Sequence, residues 1–369
     1  MRIGIDGGAL SITDDRLKVG VYRVAYNLVK EIQALDVKND YRVYSFGRGE
    51  RGTHELSQPN THFVRLPQPG YQKIWQTADI ITHPIDVYLG ISQSLPWVPD
   101  ILCDVKNVGF IYDVGFLEYP EFYPRSAGSL SRQTAALVAN SSHIITISHA
   151  SKSAIQRAYH VADNRVSVAY LGVDAAFTDH GPVRLLPHPY FLCVGALKPG
   201  KNIPFMLRAF ADFLSQTNAS YEFVLIGSDY WLDPGIPETI EELGLGHTVR
   251  VLGYVPDAEL AQYYRGAAAL LAVSHIEGFG LPAAEAMACG CPVIASTSGS
   301  YTEVVGSAGI CVDPKDRQAV VGAMRRMAED NAFRKTAGEK GKKQAATFSW
   351  RRFGRSVLSV CSRVYSSNL

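Results

Sequence analysis

The sequence predicts an α/β protein built from two parallel-sheet domains, and three observations carry that expectation. Its 369 residues are too many for one ordinary core. Strand-like apolar runs alternate with helical patterns of about ten or more residues in both halves, which is how parallel sheets covered on both faces read. The alternation breaks in VDAAFTDHGPVRLLPHPY, where Pro182, Pro187 and Pro189 stand without apolar periodicity and mark a linker.

The first half opens with the strand RIGID, the loop GGALSITDDRLKVG and the amphipathic helix VYRVAYNLVKEIQAL, followed by strand-like YRVYSFG, KNVGFIYD and HIITIS. After the linker the pattern restarts with the strand YFLCVGAL, the helix IPFMLRAFADFLSQT and the strand YEFVLIG. The helix PETIEELGL, the strand VRVLGY, the helix DAELAQYYRGA and the strand ALLAVS follow. The expected domains are residues 1–180 and 181–349, with residues 350–369 as a terminal helix. Two such sheets in tandem imply a cleft, with ligands beyond the carboxyl ends of the strands.

Composition narrows the function classes. The 36 basic and 35 acidic residues leave a net charge of +1, which argues against nucleic acid as a partner. No apolar run reaches the roughly 18 residues that span a bilayer. The opening MRIGIDGGAL lacks a signal-peptide layout, so a cytoplasmic protein is expected. Cys103, Cys193, Cys289, Cys291, Cys311 and Cys361 form no pair of CxxC motifs and read as free thiols of a reducing compartment. No histidine shows ligand spacing, so no metal is expected. The segment from Asp316 to Tyr365 is helical in pattern and basic; it reads as a solvated helix face or as a contact to an anionic membrane surface. RIGIDGGALS lacks the GxGxxG spacing, which disfavours a nicotinamide enzyme.

The chemistry concentrates in HIEGFGLPAAEAMACGCPVIAS, residues 275–296. ALLAVS ends a strand, HIEGFG is a turn, and Pro282 suits the first turn of a helix because its missing N–H has no helical partner there. The free N–H groups and positive dipole end of that helix suit an anion. Gly278 and Gly280 let the backbone approach a ligand closely. Glu277 and Glu285 would repel a phosphate, so they make sense as acceptors from neutral hydroxyls further along the ligand. Hydroxyls on both sides of a diphosphate describe a nucleotide sugar.

This stretch resembles the glutamate, seven residues, glutamate motif of the family 4 glycosyltransferases, retaining enzymes of GT-B architecture, and the likeness covers essentially the whole chain. The resemblance implies a fold of two Rossmann-like domains with parallel sheets facing a central cleft, the first for the acceptor and the second for the nucleotide sugar. It implies that Glu285 binds the donor ribose, that Glu277 contacts the transferred sugar, and that the backbone of Phe279, Gly280 and Leu281 holds sugar and diphosphate. VGALKPGKNIPFML resembles the family's phosphate segment, with Lys201 as the lysine that neutralises the leaving diphosphate. Ala196 and Gly200 stand there where many members carry arginine, and Lys198 is the nearby compensating charge.

In GFIYDVGFLEYPEFYP, Tyr112 replaces the family's usual histidine while Asp113 remains. A tyrosine hydroxyl donates a hydrogen bond but does not carry a proton at neutral pH as imidazole does. Gly20, in DDRLKVGVYRV, resembles the glycine before the first helix, where the backbone would approach donor phosphate or acceptor. Ser148 and Ser151 look like helix caps, and Trp350 like the start of a last helix that crosses back to the first domain. The expected catalytic residues are therefore Glu277, Lys201 and Tyr112. The substrate-binding set is Glu285, Phe279, Gly280, Leu281, Gly20 and Asp113.

The resemblance implies transfer of a hexose, GDP-mannose-like by expectation, to a hydroxyl of a glycan or lipid-linked acceptor. Bacterial polysaccharide or lipopolysaccharide synthesis is the expected setting, at the cytoplasmic face of the inner membrane. The nucleotide sugar is a co-substrate, and no cofactor is expected. UDP-sugars are the competing donors. A nucleotide-sugar 2-epimerase and a weakly catalytic nucleotide-sugar-binding protein of the same fold are the alternative functions.

Overall fold

A computed structural model describes residues 1–18, 20–46, 56, 58–67, 71–92, 94–96, 104–124, 126–228 and 233–367; Cys103 lies outside the described residues. The chain divides into two units, Met1–Gly172 with Trp350–Leu369, and Val173–Ser349.

Among the described residues the first unit contains seven strands: β1 (Arg2–Asp6), β2 (Asp40–Phe46), β3 (Thr61–Leu66), β4 (Val87–Gly90), β5 (Lys106–Phe110), β6 (His143–Thr146) and β7 (Val166–Val168). They lie in the order β3-β2-β1-β4-β5-β6-β7, each pair parallel. The order reverses between β1 and β4. Asp6, last in β1, ties that point together: its carboxylate accepts from the N–H of Gly8 at 3.0 Å and of Ser92 at 2.8 Å. The helix Val21–Leu35 buries Val24, Leu28, Val29 and Ile32 at helical spacing. The helix Trp350–Ser366 packs on it closely enough that a Cβ on Gly354 would stand 3.0 Å from that of Glu31. Phe353 also meets Phe110 of β5, with ring centroids 6.3 Å apart.

The second unit holds β8 (Tyr190–Val194), β9 (Glu222–Ile226), β10 (Val249–Val251), β11 (Ala269–Ala272), β12 (Val293–Ser296) and β13 (Ile310–Val312). Their order is β10-β9-β8-β11-β12-β13, again parallel throughout. The helix Ile203–Thr217 buries Ile203, Met206, Leu207, Phe210 and Phe213 against this sheet. Phe213 meets Phe191 of β8 edge to face at 5.5 Å. Each such buried side chain contributes about 1.5–3 kcal/mol relative to exposure. The reversal here lies between β8 and β11, the central neighbours, and the loops that leave their carboxyl ends carry the residues described next.

Cys193, Cys289, Cys291 and Cys361 are buried free thiols, and Cys311 is a half-buried one. Burial pushes the Cys193 thiol up to about 12. Among the described residues, no helix is long and apolar enough to cross a membrane, and no three His, Cys, Asp or Glu side chains are grouped to hold a metal ion.

Candidate functional site

The loop after β8 turns through a single 3-10 helix, Pro199–Lys201, and ends at Asn202, whose φ of 61° is left-handed. Asn202 is held there because its side-chain amide donates to the carbonyls of Val273 at 3.1 Å and Pro314 at 3.0 Å. That anchor fixes the backbone beside Lys201 and ties it to the loop leaving β11. The Lys201 side chain runs across Gly195, where a Cβ would lie 3.1 Å from Cε and 3.3 Å from Nζ.

The loop after β11 brings Glu277 to meet it. Lys201 Nζ lies 2.6 Å from Glu277 Oε2, and the two side chains are only 12% and 22% exposed. Burial alone would strip the charge from the lysine, but Glu277, and after it Tyr301, hold the ammonium above the usual lysine range. Burial likewise opposes the Glu277 carboxylate, and Lys201, then Lys198, bring it below the usual carboxylate range. Both members are thus charged at neutral pH.

Behind Glu277 stands the turn that follows β12. Ser300 donates twice to the Glu277 carbonyl, from its N–H and its hydroxyl, each at 3.1 Å. Tyr301, 1% exposed, places its hydroxyl 3.5 Å from Glu277 Oε2. Its ring lies against Gly280, where a Cβ would come within 2.5 Å of it. Gly280, at φ 88°, precedes the helix Leu281–Ala288, whose first turn contains Pro282. Phe279 points inward and packs edge to face on Phe348 at 5.2 Å. What Phe279 and Gly280 present at the helix start is therefore backbone. One turn into this helix, Glu285 is 4% exposed and accepts a 3.0 Å hydrogen bond from the Tyr264 hydroxyl.

Lys201, Glu277, Glu285 and the glycine turn thus lie in one unit, on elements leaving the carboxyl ends of adjacent central strands. Asn202, Tyr264, Ser300 and Tyr301 complete the arrangement and were not singled out from the sequence. Tyr264 and Tyr301 sit at helix positions whose spacing reads simply as core.

Tyr112, Asp113 and Gly20 belong to the first unit. The Tyr112 hydroxyl donates to the Ile91 carbonyl at 3.0 Å, next to the end of β4. Burial, and then the charge of Asp6, push its ionisation above the usual tyrosine range. Its proton is committed, so only the oxygen lone pairs face other partners. Asp113 accepts from the Gly115 N–H at 2.9 Å and supports the short helix Gly115–Glu118. Gly20 caps the helix Val21–Leu35 at φ 44°, with open space where a Cβ would project. Of the two serines expected to cap, Ser148 does so, accepting from the Ser151 N–H at 3.0 Å. Ser151 instead donates its hydroxyl to the Tyr112 carbonyl at 2.8 Å, which fixes the backbone of that residue.

Comparison with known proteins places this arrangement. Residues 183–344 match the family model described as glycosyl transferases group 1. The chain is 31% identical over 255 residues to O-antigen chain mannosyltransferase B of Escherichia coli, spanning 66% of this chain and 67% of that protein. It is 33% identical over 228 residues to a D-inositol 3-phosphate glycosyltransferase of Nocardioides, spanning 56% of this chain but only half, 50%, of that relative. Among solved structures, sucrose-phosphate synthase of Thermosynechococcus elongatus superposes with a TM-score of 0.80 at 20% identity, covering 99% of each chain. Two parallel-sheet units of this kind define the GT-B fold. The chain belongs to the group 1 glycosyl transferases.

Proposed function

We propose that this protein is a retaining glycosyltransferase that moves a hexose from a nucleotide sugar to a hydroxyl of a glycan or lipid-linked acceptor. The observation that carries this reading is the meeting of Lys201 and Glu277 at the reversal point of the second sheet, 2.6 Å apart and shielded from solvent. A cation there offsets the negative charge that grows on the diphosphate as the glycosidic bond breaks, and the helix start at Gly280–Leu281 adds N–H donors and the positive end of a dipole. Glu277 then serves the hydroxyls of the transferred sugar, and the buried Glu285 serves those of the ribose. Lysine and helix dipole supply the positive charge in this reading, and the nucleotide sugar is a co-substrate.

Mannose is the sugar favoured, on the likeness to a protein named for O-antigen mannosyl transfer, and GDP-mannose is the first donor to try. The same likeness supports cell-envelope polysaccharide synthesis, and we propose a cytoplasmic setting for it. Gly20, Tyr112 and Asp113 are proposed as the substrate contacts of the first unit. With its proton held by Ile91, Tyr112 acts as a fixed wall or acceptor of a hydrogen bond; the proton of the attacking hydroxyl passes to the departing phosphate.

The test is incubation of purified protein with GDP-mannose or UDP-glucose, with and without a mannose-containing lipid-linked acceptor. Release of nucleoside diphosphate that requires the acceptor, with the α-linked product, supports the reading. Donor consumption without acceptor would identify an epimerase, and tight donor binding with no consumption a binding protein.

A further inference from the structure

The pair formed by Lys201 and Glu277 conflicts with the tasks of its two members. An ammonium held 2.6 Å from a carboxylate already has its counter-ion, and a diphosphate that approaches it brings a second anion to the same place. Two anions sharing one ammonium in a shielded site repel each other, and the repulsion is screened little there. Ala196 and Gly200 contribute no charge to that loop, so Lys201 and Lys198 are its only cations.

Building on the nucleotide-sugar reading, we propose that donor binding exchanges the counter-ion of Lys201. The diphosphate takes the ammonium, the released Glu277 carboxylate turns to the sugar hydroxyls, and Tyr301 is the positioning residue that holds it there. The surroundings allow this by side-chain movement alone. The Glu277 carbonyl is clamped by the N–H and hydroxyl of Ser300, and the backbone beside Lys201 is anchored by Asn202. The Tyr301 ring is fixed by burial and by its contact with Gly280. Its hydroxyl, 3.5 Å from Oε2, is at the outer limit of a hydrogen bond while Lys201 holds the carboxylate. In the proposed exchange the carboxylate, released by Lys201, closes this distance.

The exchange also sorts ligands. A nucleotide sugar supplies hydroxyls that satisfy the released carboxylate, whereas the product diphosphate does not. The carboxylate therefore weakens the hold on product, and the ion pair re-forms as product leaves. Glu277 acts on the sugar through its acceptor oxygens and on the diphosphate through competition for Lys201.

Isothermal titration of GDP, UDP, GDP-mannose and UDP-glucose into the full chain tests this, using wild type, Glu277→Gln and Tyr301→Phe, with thermal melts as the folding control. Glu277→Gln should bind the nucleoside diphosphate that wild type accepts several-fold more tightly. It should also lose the wild-type preference for the sugar-bearing form. Tyr301→Phe keeps the pair but removes the partner of the released carboxylate, so it should weaken both ligands several-fold and raise the donor KM at unchanged melting temperature. Unchanged or weaker diphosphate binding by Glu277→Gln, with wild type binding normally, would overturn the exchange. Should that variant fail to melt cooperatively, Tyr301→Phe decides, and an unchanged KM overturns the proposal. Wild type that binds no nucleotide at all is a different failure, since the nucleotide-sugar reading then falls first.

Discussion

Tyr264 donates a 3.0 Å hydrogen bond to Glu285 from inside the second unit, and the carboxylate that receives it is 4% exposed. A solvated residue one turn into a helix would have needed no such partner. Phe177 packs edge to face on Tyr264 at 5.8 Å, so the phenol that orients Glu285 is itself held in place. The carboxylate is thereby kept in one rotamer, the preorganisation that the proposed ribose contact requires.

Replacing Glu285 with alanine should weaken nucleotide binding by roughly 1.5–3 kcal/mol, the range for hydrogen bonds to a charged group. Tyr264→Phe should cost less, about 1 kcal/mol in binding, because the carboxylate remains. Calorimetric titration with the nucleoside diphosphate measures both. Equal affinity in all three proteins would remove Glu285 from the site.

Lys201→Ala should lower turnover more than donor affinity, because in the proposed reaction its charge is needed most as the diphosphate departs. It also strands Glu277, and loss of one partner of a shielded pair costs about 3 kcal/mol of stability. The pH dependence follows from the directions of the two shifts. Glu277 ionises below its ordinary 4.5, so its stabilisation is present above that pH and fades as pH falls through the lowered value. Lys201 is held above its ordinary 10.5, so its share is complete below that pH and fades only as pH rises beyond it. Neither group of the wild-type pair titrates between about pH 5 and 10. In Lys201→Ala burial acts on Glu277 unopposed and raises its ionisation, so the stability lost by the variant should be largest at high pH and shrink as pH falls and the stranded carboxylate takes up a proton. A loss that grows as pH falls toward about 5 would show that the pair is not ionised as described.

Gly280→Ala places a methyl 2.5 Å from the Tyr301 ring at a φ of +88°. The strained backbone costs about 1–3 kcal/mol, and the displaced ring disturbs Glu277, so donor KM should rise as well. Gly244→Ala is the control: φ is +64° there, but nothing lies within 4 Å. It should lose about 1 kcal/mol and leave KM unchanged. Denaturant midpoints and donor kinetics separate the two.

His143, in β6, accepts no charge easily. Burial first, then the charges of Arg363, Arg165 and Lys152, lower it from 6.5 to about 4. The unfolded chain therefore takes up its proton before the folded one does. Stability should fall as pH drops from 6.5 to 4 by up to about 3 kcal/mol on this account. His143→Gln should remove that portion of the acid sensitivity. Identical pH slopes for the two proteins would contradict it.

Much of the scaffold could be read in advance, for local reasons. The helices Val21–Leu35 and Ile203–Thr217 begin and end where their apolar periodicity does, and the glycine turn at Gly278–Gly280 sits between a strand run and Pro282. β3 and β4 carry no such signal. β4 is four residues long, and β3 carries exposed His62 and Arg65 within its apolar run, so neither has a sustained period. The site divides in the same way. The acids of one continuous motif announced themselves, but the ion pair joins residues 76 positions apart, and no local pattern encodes it. Tyr112 was legible as a departure from the resembled motif. Its actual partner, the Ile91 carbonyl, lies just past the end of β4, which sheet order places beside β5.

In the proposed function the second unit grips a nucleotide sugar through Lys201, Glu277 and Glu285. The most direct measurement is a thermal-shift panel on the full chain with GDP, GDP-mannose, UDP and UDP-glucose, repeated on Glu285→Ala. A ligand that binds only the folded state raises its melting temperature with concentration. One nucleotide series should stabilise wild type, and Glu285→Ala should lose most of that shift. No shift with any nucleotide, or the same shift in both proteins, would contradict it.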